Sequence, residues 1–278
     1  MKINREIITS RANPTVKWMA SLSEKKGRER CSSFLAEGEK LTLETAASGV
    51  PVSHIAVSES KFSYLLPKLE AAFSAELYRD TELLVLSDAA FEKISTERAP
   101  QGVISVVKHL DFFKRMDIIY MEEISSWSGE HILTLCSVRD PGNLGAVIRS
   151  AVAFGVDRIV LTDDCVDVYN PKTVRSAMGS LFKVRINVVS DLSEFIKALK
   201  AAGRRVFAAE LRDGAISLAE AALTTSDTVI IGNEGHGIPV EISSLCTGSV
   251  YIPISGKTES LNASVAASIF IWEQSKSK

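Results

Sequence analysis

The sequence predicts an α/β protein of two domains, the second built on a parallel sheet. Three observations predict it. At 278 residues the chain is longer than a single domain usually is. From His131 onward, apolar runs ("HILTLCS", "DRIVLT", "KVRINVV", "RRVFAAE", "DTVIIGN", "SVYIPI") alternate with helical segments at 144–154, 171–180, 191–202, 239–246 and 260–274. The runs are continuously apolar rather than alternating, as in strands buried on both faces. Strands and helices in alternation connect by right-handed crossovers into a parallel sheet.

The elements before His131 form a smaller α/β domain over 1–108. Residues 1–33 read as helical and basic, with Asn13-Pro14 as a helix start, because Asn suits the N-cap and Pro the first turn. "FLAEGEKLTLETAASGV" gives a short strand and a helix closed by Gly49. "VSHIAVSES" reads as a strand, "KFSYLLPKLEAAFSA" as mostly helix and "ELLVLS" as a strand. "DAAFEKIS" is a capped helix and "GVISVVKHL" a strand. Composition shifts over 109–130, a connector with one expected strand at "DIIYM" and a Ser/Gly turn. The second domain covers 131–278.

Composition narrows the function classes. Apolar residues make up 46% and charged residues 24%, an ordinary globular balance. The net charge of −2 advertises no polyanion partner. The charge is uneven, however. Residues 1–30 hold eight Lys/Arg (Lys2, Arg5, Arg11, Lys17, Lys25, Lys26, Arg28, Arg30) against three Glu. A basic arm suits phosphate contacts, and a solvated amphipathic helix pair has the same composition. Cys31, Cys136, Cys165 and Cys246 are scattered, with no zinc spacing, so no metal is expected. That usage fits a reducing cytosol. No signal peptide or membrane span is expected.

Ligands of an open parallel sheet bind beyond the carboxyl ends of its strands, so three loops carry the candidate chemistry. The first, "SVRDPGNLGAVIRSA", opens onto a helix whose first-turn amides are unpaired. Read plainly it is a strand–turn–helix with Asn143 as cap. Its helix is apolar almost all round except for Arg149, and a buried guanidinium is costly unless paired. Arg149 follows Asn143 by six residues, so both are expected on nearly one face. The second loop, "VIIGNEGHGIP", frames Glu234 with Gly232, Gly235 and Gly237, with His236 in reach; glycines allow close approach by a ligand. The third, "YIPISGKTESLNASVAASIFIW", ends on Ser260 or Asn262 as the cap of an apolar helix. There is no Ser/His/Asp set, no Walker loop and no G-x-G-x-x-G, which argues against nucleophilic hydrolysis, phosphoryl transfer and dinucleotide oxidoreduction. A polar, amide-rich pocket with one Arg and one Glu suits a nucleoside-like cofactor and a second substrate.

In order and spacing, "DPGNLGAVIRSAVAFGV", "IIGNEGHGI" and "IPISGKTESLNASVAAS" resemble the three motifs of the SpoU (TrmH-like) branch of the SPOUT methyltransferases. "SAMGSLFKV" is similar to the segment between the first two motifs. "ITSRANPTVKWMASLSEKKGRERCSSFLAEGEKLTLETAASGV" and "STERAPQGVISVV" resemble the small N-terminal domain, which leaves 109–130 least matched.

The resemblance implies a small α/β (L30e-like) RNA substrate-binding domain followed by a SPOUT domain with a trefoil knot. It implies methyl transfer from S-adenosylmethionine to a ribose 2′-hydroxyl of rRNA or tRNA, by a cytoplasmic homodimer with the cofactor near the dimer interface. By position, Gly232, Ile252 and Leu261 would bind cofactor, largely through backbone groups. Asn143, Arg149, Glu234, Ser260 and Asn262 would line the reacting centre. Arg149 is the family's proposed activator of the 2′-hydroxyl. A guanidinium stays protonated, so the expected role is to orient the ribose or its phosphate and stabilise alkoxide charge. Phosphate, water or a neighbour would assist proton removal. Glu234 would pair with Arg149 or hold the loop. RNA contacts are expected on the basic N-terminal arm and one face of the small domain. The alternative is a catalytically lapsed RNA-binding paralogue of the same fold; intact Asn143, Arg149, Glu234 and Asn262 argue against it.

Overall fold

A computed structural model describes residues 1–277. They divide into two compact units. One comprises Met1–Leu110 with Asp167–Lys183, the other Asp111–Val166 with the chain from Val184 onward.

The first unit carries, in order, β1 (Lys2–Ile8), α1 (Pro14–Ser21), α2 (Lys25–Cys31), β2 (Ser33–Glu37), α3 (Glu39–Ala47), β3 (Val52–Ser58), α4 (Glu59–Ala72), β4 (Glu82–Leu86), α5 (Asp88–Glu92) and β5 (Val103–Lys108). The strands form one sheet in the order β1-β4-β3-β5-β2. β1, β4 and β3 run parallel, and β5 is antiparallel to β3 and β2. Asn13 caps α1 as expected, its Oδ1 accepting from the Thr15 amide at 2.8 Å. Gly49, at φ 66°, follows the end of α3. The helical reading fails at the start of the chain, where Lys2–Ile8 is an edge strand. Its β-branched Ile3, Ile7 and Ile8 suit a strand, and β4 supplies a parallel partner that no local pattern reveals.

The second unit begins with β6 (Phe113–Met116), α6 (Met121–Ser126), β7 (Ile132–Leu135), α7 (Pro141–Ala153) and β8 (Arg158–Thr162). After β8 the chain carries α8 (Pro171–Ala177), which belongs to the first unit. It continues through β9 (Arg185–Val189), α9 (Leu192–Ala201), β10 (Val206–Ala209), β11 (Ile216–Ser217), β12 (Thr228–Ile231), α10 (Val240–Ser243), β13 (Gly248–Tyr251) and α11 (Ala263–Ser275). The sheet order is β11-β13-β10-β12-β7-β8-β9-β6. Every pairing in it is parallel, as the apolar runs predict.

The connector strand is displaced from its expected place. Phe113–Met116 pairs with β9, whereas "DIIYM" is a turn leading into α6. Met116 is buried there while Ile118 and Tyr120 stay exposed. Pairing along β9 sets that register, and the apolar content of 117–121 does not.

Asp167–Lys183 is held within the first unit by charge and stacking. Arg28, 3% exposed, donates from Nε and Nη2 to Asp167 at 3.0 and 2.5 Å and from Nη1 to the carbonyls of Leu22 and Ser23. The Tyr169 ring stacks on Phe34 and on His109. Glu44 accepts from the Gly179 amide at 2.7 Å.

Candidate active site

Parallel pairing puts the exits of β7, β8 and β12 on one edge of the sheet, and the candidate residues gather there. Asp140 supplies the N-cap of α7: its Oδ1 accepts from the Asn143 amide at 2.8 Å, with Pro141 opening the helix. The expectation that Asn143 caps this helix is therefore corrected. Because Asp140 satisfies the amide, the Asn143 side chain is free to reach across the loops. Its Nδ2 donates to Glu234 Oε1 at 2.7 Å, and its Oδ1 accepts from Asn262 Nδ2 at 2.9 Å.

Asn262, not Ser260, caps α11. Its Oδ1 accepts from the amides of Ser264 and Val265 and from the Ser264 hydroxyl. The result is a directed chain from the positive end of α11 through Asn262 and Asn143 to the Glu234 carboxylate. Each donor polarises the next acceptor along the chain. Ser260 is exposed, and its carbonyl accepts from the Thr258 hydroxyl; its side chain does not join the chain.

Arg149 stands apart from this. Six residues on an α-helix leave two side chains about 120° apart around the axis, so Asn143 and Arg149 do not share a face. Arg149 is exposed. Among the described residues it makes no side-chain hydrogen bond or ion pair, and Glu234 pairs with Asn143 instead. The cost of a buried guanidinium, which its apolar helix suggests, does not arise.

A second set of contacts underlies the chain. Asn233 Nδ2 donates to the Ser137 carbonyl at 2.7 Å, and its Oδ1 accepts from the amides of Gly235 and His236. Asn233 and Gly237 exchange two backbone hydrogen bonds. That closure covers Gly232, where a Cβ would lie 2.5 Å from the Gly237 carbonyl carbon; only glycine fits. Ser137, at φ 58°, donates its amide to Thr162 Oγ1, whose hydroxyl bonds Asp164. Burial raises the Asp164 carboxyl, and hydrogen bonds from Ser137, Thr162 and Arg139 outweigh it, leaving the group below its ordinary value. Sequence reasoning missed Asp140, Ser137, Thr162 and Asn233. Asp140 was legible as Asp before Pro at a helix start. The others show only once the strands pair.

Gly232, Ile252 and Leu261 are half-buried at the exit of β12, the exit of β13 and the approach to α11. β12 and β13 flank β10 and run parallel to it, so the Gly232 and Ile252 backbones lie at the same edge of the sheet. That fits a ligand held through main-chain groups. Among the described residues no three metal-ligating side chains cluster.

Comparison with known proteins decides the family. The SpoU rRNA Methylase family model matches residues 130–272. The chain belongs to the SpoU rRNA methylase family. An MRM3-like substrate binding domain matches 13–105. The chain is 33% identical over 265 residues to the 23S rRNA (guanosine(2553)-2′-O)-methyltransferase RlmP of Bacillus subtilis, covering 95% of this chain and 97% of the relative. It resembles the rRNA methyltransferase of Sinorhizobium meliloti with a TM-score of 0.82 and 27% identity, covering 99% and 98% of the two chains. A second structure from that organism, bound to AdoMet, gives a TM-score of 0.79 and 29% identity over 99% and 98%. The matched span of 130–272 contains all three loops that the amide chain joins.

Proposed function

We propose that the protein transfers a methyl group from S-adenosylmethionine to a ribose 2′-hydroxyl of ribosomal RNA. The observation that carries this reading is the chain Asn262–Asn143–Glu234, which joins the three SpoU loops into one polar centre. The rRNA methyltransferases among the relatives favour rRNA over tRNA. The complete set of site residues speaks against a lapsed RNA-binding paralogue.

S-adenosylmethionine supplies the methyl group, and Gly232, Ile252 and Leu261 would hold it through main-chain groups. Asn143 and Asn262 fix the Glu234 carboxylate at the reacting centre. Arg149, uncommitted to any protein carboxylate, can take the ribose or its phosphate and stabilise negative charge on the 2′-oxygen as its proton leaves. Pre-organised donors of this kind are worth more in the transition state than in the ground state.

RNA would meet the first unit through a subset of its N-terminal cations. Lys2, Arg11 and Lys25 pair with Asp80, Glu92 and Glu29, and Arg28 is buried. Arg5, Lys17, Lys26 and Arg30 are exposed and have no ion pair among the described residues. They are the candidates for phosphate contacts. Replacing all four by Gln is expected to reduce the salt dependence of RNA binding, by about 0.7–0.9 in log–log slope for each phosphate no longer neutralised.

Two further features belong to this reading. α11 packs on α7 and β12 rather than on β13, the strand it follows. The trefoil knot that the family resemblance implies belongs to the same reading. α11 is apolar almost all round, yet Val265 and Trp272 are exposed. With Ala146, Ser150, Phe154 and Ile269 they line an open groove between α7 and α11. An all-apolar helix is expected to be covered, and a second copy of the chain is the proposed cover, as a cytoplasmic homodimer.

The test is transfer of labelled methyl groups from S-adenosylmethionine to ribosomal RNA, with the modified nucleotide mapped by its resistance to alkaline cleavage. Label on a base rather than a ribose, or no label at all, would overturn the proposal.

A further inference from the structure

We propose that Asn233 is a positioning residue for the reaction, locking the 232–237 turn to the exit of β7 so that Glu234 meets Asn143. The inference rests on the methyl-transfer reading above and adds a residue to it.

An amide is the side chain that this position demands. It must donate and accept at once: Nδ2 to the Ser137 carbonyl at 2.7 Å, and Oδ1 from the Gly235 and His236 amides at 2.8 and 3.1 Å. The inward end of this link is part-buried. The sheet explains why a side chain is used. Backbone pairing between β12 and β7 extends to the bond from the Cys136 amide to the Ile231 carbonyl. Beyond it, Ser137 turns left-handed at φ 58° and Gly232 sits under the Asn233–Gly237 closure. The ladder cannot continue there. The Asn233 amide takes over from it, and Thr162 holds Ser137 from the β8 side at 2.8 Å.

Glu234 lies between two residues of this lock, Asn233 and Gly235. Its bond to Asn143 is a single exposed hydrogen bond, whose net contribution is small because water competes for both partners. That is too little to hold two separate loops in register unaided. The lock beneath does so, and misplacement of a reacting group by about 1 Å can cost on the order of a hundredfold in rate.

The test is a double-mutant cycle on single-turnover methyl transfer to rRNA, using Asn233→Asp and Glu234→Gln. Asn233→Asp keeps the acceptor, loses the donor and sets a carboxylate against the Ser137 carbonyl. We expect a fall of about tenfold to a hundredfold in rate, KM for RNA within about twofold and an unchanged dissociation constant for S-adenosylmethionine. In the Glu234→Gln background the same substitution should cost less than about threefold, since the group it positions is gone. Thr162→Val, which frees Ser137 without touching the turn, should give a smaller fall that also disappears in that background. Full multiplication of the two falls, or an unchanged rate in Asn233→Asp, overturns the proposal. A wild-type protein that methylates no rRNA overturns the functional reading itself, and it is scored before any variant.

Discussion

Two arginines, one in each unit, show how differently the same side chain is used. Arg28 is 3% exposed and spends its guanidinium on Asp167 and two carbonyls. Arg149 is exposed on α7 and has no protein partner among the described residues. The sequence suggests the opposite assignment, with Arg28 in a basic arm and Arg149 buried in an apolar helix. The difference lies in what surrounds each cation. Where the fold completes the donors of a guanidinium, the residue is structural. Where it leaves them open to solvent, the residue is not committed to the fold, and the proposed function gives its donors to substrate.

The largest expected effect breaks the first half of that contrast. Arg28→Ala strands the Asp167 charge and two carbonyls, and should destabilise the protein by about 3–5 kcal/mol in urea unfolding. A loss below about 1 kcal/mol would show that the cluster is not structural. Arg149→Ala should do the reverse. The rate of methyl transfer falls about a hundredfold to a thousandfold, while stability changes by no more than about 0.5 kcal/mol. Arg149→Lys restores part of the rate at most, because the planar fork is lost. An Arg149→Ala protein that loses stability but keeps its rate would dissolve the comparison.

Smaller effects sharpen it. Asn143→Ala breaks the amide chain at its centre, and the rate should fall by about tenfold with little change in unfolding. Asp140→Ala removes the cap of α7 and should cost about 1 kcal/mol, read by thermal unfolding. The smallest effect is at Asp164. Its carboxyl lies below the ordinary value of 3.8 in the fold, so it adds stability above that pH. The contribution disappears as pH falls through the lower folded value. Unfolding between pH 5 and pH 2 should thus show an acid-side loss that Asp164→Asn lacks; an identical profile in the variant would count against the Asp164 contacts.

Much of the site was legible because its residues lie in local patterns. Asn143, Glu234 and Asn262 each follow a strand in a turn-rich stretch, and the structure brings all three together. Their roles were less legible. That Asn143 reaches Glu234 depends on Asp140 taking the cap. That Glu234 turns from Arg149 depends on helix periodicity over six residues, a term readable from the sequence and misjudged there. Asn233 carried no signal of its own, since its partner Ser137 is 96 positions away.

The sequence alone determined the parallel α/β sheet, the cap at Asn13, and the three loops of the site. These follow from apolar periodicity and turn chemistry, which act over a few residues. The tertiary structure decided the rest. It made Lys2–Ile8 an edge strand, moved the connector strand to Phe113–Met116, took Asp167–Lys183 into the first unit and buried Arg28 while leaving Arg149 open. Each of these depends on a partner far away in the chain, and strand register and charge burial are fixed by that partner rather than by neighbours in sequence.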